Sequence, residues 1–218
     1  MSHELLRWLH VLTFALWFGT DLGVFTASLA TTDPRQPVVV RQYAMKLLMT
    51  LDLVPRFAML LVVAIGPLLA ANWLSVAVSD LLAVGWCVAV LAWMAMEAKI
   101  HLATGAPSPL LVRVDTVLRV ALLAGCVGSA LQPQVQVAAP WLAVKLCLLA
   151  TTVACGLAVR FTLAPFIPAF GQLLAGGSTP AIETTLRRSM NQSRVLVLII
   201  YACVLSAAWL GVAKPAWP

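Results

Sequence analysis

Leu5-Leu6-Arg7-Trp8-Leu9-His10-Val11-Leu12-Thr13-Phe14-Ala15-Leu16-Trp17-Phe18-Gly19-Thr20-Asp21 opens an apolar run that continues to Ala30. A helix needs about 20 such residues to cross the hydrocarbon core of a bilayer, so residues 5–30 read as a membrane span. A cleavable signal has a shorter apolar region, ~7–15 residues, and would not carry Asp21. Residues seven apart on a helix lie nearly above one another, which puts His10 and Trp17 on one stripe together with His3 and Asp21. A histidine at such depth faces protein or a cavity rather than lipid and is a candidate functional group. The chain has only three: His3, His10 and His101.

The remaining composition agrees with that opening. Hydrophobic residues make up 62% of the 218, charged residues 10%, and the mean hydropathy is +0.97. Water-soluble domains carry about 25% charged residues, so too little polarity is present to clothe a globular surface. One integral membrane domain over residues 1–218 is expected, with the lipid bilayer as its main partner. The net charge of +6 does not point to nucleic acid, because no basic run is interleaved with aromatics. The five cysteines fall inside apolar segments without C-x-x-C spacing, and no disulfide framework is expected.

Breakers and charges divide the chain into six apolar segments, at 5–30, 47–72, 80–103, 110–131, 140–164 and 192–213. The expected fold is an all-α polytopic bundle of about six transmembrane helices without strands. The last separator, 164–194, holds Pro165, Pro168, Gly176, Gly177 and Pro180, and its residues 181–194 read as a helical entry to the sixth span. An even number of spans puts both termini on one side. Arg7, Lys145 and Lys214 fall on that side, and the other eleven Lys and Arg on the opposite one. Cytoplasmic flanks carry the excess of Lys and Arg. The expectation is a multi-pass protein of a bacterial inner (cytoplasmic) membrane with both termini outside the cytoplasm.

Two groups of residues stand out. On the outer side, Trp141-Leu142-Ala143-Val144 repeats the pattern of Trp8-Leu9-His10-Val11 in a degraded form, and Lys145 lies at about the depth of His10. Lys145 either snorkels to the headgroups or shares an outer pocket with His10, where it could pair a ligand carboxylate. On the inner side, Asp52 and Arg56, Glu97 and His101, and Asp115 and Arg119 are three pairs at i, i+4, a spacing that lets side chains meet on a helix. Arg160 lies at a similar level and Asp21 somewhat above it. These groups either neutralise one another at the interface or line a polar inner cavity. Glu97 is placed to fix the tautomer of His101.

The first span, with His10, Phe14, Trp17, Phe18 and Gly19, resembles the opening helix of the copper resistance protein D superfamily. It is also similar to the related HemJ-type protoporphyrinogen oxidases, whose later W-L-H-x-K-L helix Trp141, Leu142, Val144, Lys145 and Leu146 resemble. Arg56 and Gly66-Pro67 are similar to the second helix of that type. The resemblance covers about a third of the chain. It implies a haem b-associated membrane protein with His10 as an axial ligand of the iron, Phe14 and Trp17 beside the macrocycle, and Lys145 as a propionate partner or second ligand. Ala143 and Gly156 stand where the HemJ pattern has further histidines, so the opposite axial position is filled by another group or open. Copper is the alternative metal at His10. No Met-x-x-x-Met cluster or Cys/His pair stands near it, and copper(I) favours such soft ligands.

The functional expectation is a haem b-associated redox protein, either an electron-transfer subunit or an oxidoreductase, working with a redox partner protein. In it the inner Glu97 and His101 would serve proton or electron transfer. Two alternatives stay open: a transporter for copper or a small anionic solute, held by Arg56, Arg119 and Arg160 with Asp21 as proton relay, or a non-catalytic anchor for a partner enzyme. A homo-oligomer is compatible with each.

Overall fold

A computed structural model describes residues 3–103 and 105–215. Eight helices make up the described chain, and no strand occurs among the described residues: α1 (His3–Thr31), α2 (Val38–Trp73), α3 (Asp80–His101), α4 (Pro109–Ala130), α5 (Pro133–Ala138), α6 (Pro140–Leu163), α7 (Phe166–Gly176) and α8 (Pro180–Ala213). The six long helices close a ring in chain order, α1 on α2, α2 on α3, α3 on α4, α4 on α6, α6 on α8 and α8 back on α1. Five stretches, α1, α2, α3, α6 with α7, and α8, are long and apolar enough to cross a membrane. The remaining ring member, α4, spans 22 residues but carries Arg113, Asp115 and Arg119. Asp115 and Arg119 are buried between helices.

The membrane-level core gathers around α2. Leu60, Ala58 and Val63 are almost wholly buried against Trp17, Val90, Trp93, Val153 and Val204 from α1, α3, α6 and α8. The Leu51 side chain of α2 packs onto α1 at Gly23, where a Cβ would stand 2.9 Å from Leu51 Cδ1. Hydroxyl groups survive in these apolar helices by donating back to carbonyls one turn earlier, as Thr13 does to Leu9 (2.7 Å) and Thr31 to Ala27 (2.9 Å). Without water, each polar group must find such an internal partner.

Two helices overrun the bilayer. α2 has 36 residues and α8 has 34, or about 54 and 51 Å at ~1.5 Å per residue, against a hydrocarbon core of about 30 Å. Their extra turns meet α7 on the arginine-rich side and form a second apolar core of Phe166, Ala169, Phe170, Leu173, Leu186 and Met190, with Val38, Met45 and Leu48 of α2. Two arginines tie this layer to α1, whose last turn has no basic residue of its own. Arg41, 1% exposed, donates from Nε to the Thr31 carbonyl (2.9 Å) and forks onto both Glu183 oxygens (2.7 and 3.1 Å). Arg194 donates to the Ser28 carbonyl (2.5 Å) and the Thr32 hydroxyl (2.7 Å). These bonds satisfy carbonyls that a helix C-terminus leaves unpaired. At the other end α5 packs with the start of α6 against the last turns of α2, through Val135, Ala139, Leu142, Ala70 and Leu74.

Candidate functional site

The inner-side residues converge into one chain of alternating charge across four helices. Arg56 on α2 donates from Nε to its helical neighbour Asp52 (2.7 Å) and from Nη1 to Glu97 Oε1 on α3 (2.8 Å). The other oxygen of Glu97 faces Arg119 Nη2 of α4 at 3.1 Å, a charge contact without hydrogen-bond alignment. Arg119 donates from Nε to Asp115 (2.9 Å), and Arg160 of α6 reaches the same Asp115 oxygen. Trp93 donates its indole N–H to the second oxygen of Asp115 (2.7 Å), and its ring lies 5.9 Å from the Arg119 guanidinium. Glu97 and Asp115 are both 0% exposed. Buried charges are tolerated only when paired and bonded in this way. Arg56, Arg119 and Arg160 are thus each already held by a carboxylate of the chain itself.

Of the three pairs expected at i, i+4, Asp52–Arg56 and Asp115–Arg119 form within their helices. Glu97 and His101 do not pair. Two arginines, one on each flank, hold the Glu97 carboxylate, and His101 turns to α2. Its Nε2 lies 2.7 Å from the Met49 carbonyl, and its Nδ1 stands 3.9 Å from Asp52 Oδ2. A carbonyl only accepts, so Nε2 carries a proton, and Nδ1 is the ring nitrogen nearer Asp52. Asp21 of α1 lies beside this end of the chain, within electrostatic range of Asp52 and Arg56. Tyr201 of α8 donates its hydroxyl to the Asp21 main-chain carbonyl (2.8 Å). Among the described residues no ion pair reaches the Asp21 carboxylate.

Trp93 and Tyr201 are participants that sequence reasoning passed over. Trp93 was legible, since it stands four residues before Glu97 and so on the same face of α3. Tyr201 is one of only two tyrosines and sits inside an otherwise apolar run. That signal marks it as unusual without naming its partner.

The outer group is arranged differently. His10 is half-buried, and its Nδ1 is enclosed without a hydrogen-bond partner among the described residues. It lies against Gly66 of α2, where a Cβ would sit 3.9 Å from His10 Cε1. Lys145 is within electrostatic range of His10, and its Nζ would stand 2.8 Å from a Cβ at Gly211 on α8. No carboxylate of the described chain pairs with Lys145. Phe14 stacks on Phe18 (centroids 6.2 Å apart). Trp17, expected beside a ligand, lies in the core between α1 and α2. Lys214 caps the same end, 3.9 Å over the Trp73 ring, which meets Trp141 edge-on at 5.6 Å. No protein-family model, curated protein or solved structure matches this chain.

Proposed function

We propose that this chain is a haem b-associated redox protein with His10 as an axial ligand of the iron. The observation that carries the reading is the enclosed Nδ1 of His10, without a hydrogen-bond partner among the described residues, next to a lysine that meets no carboxylate among them. An unsatisfied buried polar group costs about 1–3 kcal/mol, and each one in a native protein calls for a reason.

The residues present suit a macrocycle better than a bare ion. Among the described residues no three His, Cys, Asp or Glu side chains come together as metal ligands. A protein-held ion needs several donors. A porphyrin brings four nitrogens of its own and asks the protein for one or two axial groups. Haem b, when bound, supplies one-electron chemistry at its iron. The chain's own residues would do the rest. His10 offers a nitrogen lone pair, and Gly66 keeps α2 clear of its ring. Lys145 would offer its ammonium to a propionate or, deprotonated, its amine lone pair to the iron. Phe14 and Phe18 present a stacked apolar surface that excludes water. Trp17 holds α1 to α2 and so fixes where the imidazole stands.

The proposal extends to placement. The protein lies in a bacterial cytoplasmic membrane with both termini outside, because eleven of fourteen Lys and Arg fall on the opposite side, and exchanges electrons with a partner protein. A protease-cleavable tag at the C-terminus should be cut in spheroplasts and protected in inverted vesicles. The central test is an absorption spectrum of protein expressed with haem supplied, oxidised and dithionite-reduced. A Soret band is expected in the wild type and its loss in His10→Ala, with the variant still folded in detergent. A colourless wild type, or full haem retention in His10→Ala, overturns the reading.

A further inference from the structure

One turn of α2 lacks a bond that the rest of the helix can make. Pro67 stands inside α2, and a proline has no amide hydrogen to give to the carbonyl four residues earlier. That carbonyl belongs to Val63, whose side chain is buried in the membrane-level core. Within a bilayer a carbonyl released in this way must find another donor, commonly from a neighbouring helix. Here the donor is the indole of Trp86 on α3, whose Nε1–H reaches the Val63 oxygen at 3.1 Å.

Packing alone does not account for Trp86. Its ring is 38% exposed on the outside of the bundle, beside Leu82, Gly85 and Ala89. Tryptophans of a membrane interface commonly keep their polar edge wet, whereas Trp86 gives its N–H to the carbonyl of a core residue. His10 meets the same turn of α2 from α1. A Cβ on Gly66 would stand 3.9 Å from His10 Cε1. Gly66 also directly precedes Pro67, where a residue without Cβ avoids a clash with the pyrrolidine ring. Residues 63–67 thus hold the missing amide, the cross-link to α3 and the contact with His10.

We propose that Trp86 is a positioning residue for His10. Its N–H stands in for the amide that Pro67 lacks, fixes the turn 63–67 of α2, and so fixes the wall against which the imidazole rests. Trp86 itself touches neither the ligand nor its iron and acts through the Val63 carbonyl and Gly66. Its functional meaning rests on His10 as the axial ligand, because a ligating side chain must be held to within ~0.5 Å by the groups behind it. Outer hydrogen bonds that hold a ligating histidine matter to metal affinity nearly as much as the ligand does. Without the indole N–H the Val63 carbonyl loses its donor, the turn loosens, and the His10 ring becomes accessible.

Deuterium exchange at the Cε1–H of His10, followed by mass spectrometry on the haem-free full chain in lipid nanodiscs, reads that wall directly. Fragment ions separate His10 from His3. In the wild type the exchange should be slow against that of free histidine. Trp86→Phe keeps an aromatic ring and loses the N–H, and should speed the exchange about fivefold, the factor that one net hydrogen bond makes in an equilibrium. Pro67→Ala supplies the missing amide within α2, and in that background Trp86→Phe should leave the rate unchanged. A packing role for Trp86 would give the same acceleration in both backgrounds, and that outcome overturns the proposal. So does a Trp86→Phe variant with wild-type exchange, or a wild type that exchanges as fast as free histidine. In haem-loaded protein, retention should fall in Trp86→Phe and be indifferent to Trp86 once residue 67 is alanine. A colourless wild type overturns the haem reading alone, since the exchange measurement needs no haem.

Discussion

The two ends of the bundle handle buried polarity in opposite ways. On the expected inner side three carboxylates and three guanidiniums balance one another in charge across α2, α3, α4 and α6, with Trp93 donating to Asp115, although Glu97 Oε2 and Arg119 Nη2 meet as charges without a hydrogen bond. On the expected outer side His10 and Lys145 are sheltered by the same kind of apolar helices and, among the described residues, meet no acid, and His10 Nδ1 meets no acceptor or donor there. A charge-balanced network fixes how helices sit. An incomplete one stores binding capacity. The inner chain therefore reads as the architecture of the ring, and the outer pair as the place for something the chain does not itself supply.

If that contrast is right, the largest loss comes from cutting the inner chain at its most connected member. Asp115→Ala strands Arg160 and the Trp93 N–H and leaves Arg119, among carboxylates, with only its charge contact to Glu97. Removing one partner of a buried ion pair costs about 3–5 kcal/mol, and denaturant unfolding in detergent should show a loss of that size. A loss under about 1 kcal/mol would mean that water reaches the chain, and the contrast between the two ends would fail. Arg41→Ala ranks next. It removes the fork on Glu183 and the cap on the Thr31 carbonyl, at about 2–3 kcal/mol for bonds involving a charged group. Its effect should appear as loosened protease resistance around α7 and the first turns of α8.

The outer end should respond the other way. In haem-free protein His10→Leu replaces an unsatisfied ring by an apolar side chain. Exchanging unmatched polarity for apolar shape is neutral or stabilising, so unfolding should shift by no more than about 1 kcal/mol, in the stabilising direction. A loss as large as that of Asp115→Ala would show that His10 has a structural partner and is not spare capacity.

What the sequence made legible follows the same division. Segments 80–103 and 110–131 match α3 and α4 to within two residues at either end, because Ser79-Asp80 and Ser108-Pro109 mark helix starts and charged or polar residues mark the ends. The start of α2 and the whole of α7 were hidden. Arg41, Gln42 and Lys46 break the apolar run before residue 47, although α2 already begins at Val38. Pro165, Pro168, Gly176 and Gly177 read as loop punctuation. In the structure they flank a helix, with Pro165 and Pro168 at its first turn and Gly177 at φ +83° just past its end, where proline and glycine are favoured. Within-helix pairs could be read from spacing. That Glu97 sits between Arg56 and Arg119 could not, since it depends on which helices are neighbours in the ring, and the same unknown concealed the turn of His101 towards Met49.

The smallest expected effect on stability is the one that most sharpens the outer end. A Cβ at Gly211 would stand 2.8 Å from Lys145 Nζ, too close for both to stay. The clashing atom is the tip of a flexible side chain, so the ammonium swings away and the helices need not move. Alanine also gains about 0.5–1 kcal/mol over glycine within a helix, which offsets the displaced contact. Gly211→Ala should therefore unfold within about 1 kcal/mol of the wild type. What changes is where the positive charge stands relative to His10. If Lys145 serves a propionate or the iron, Gly211→Ala should weaken haem retention or shift the Soret band, and Lys145→Gln should do the same through loss of the charge itself. If the ammonium only reaches for the headgroups, both variants will keep the wild-type spectrum, and His10 would have to hold its ligand without help from α6.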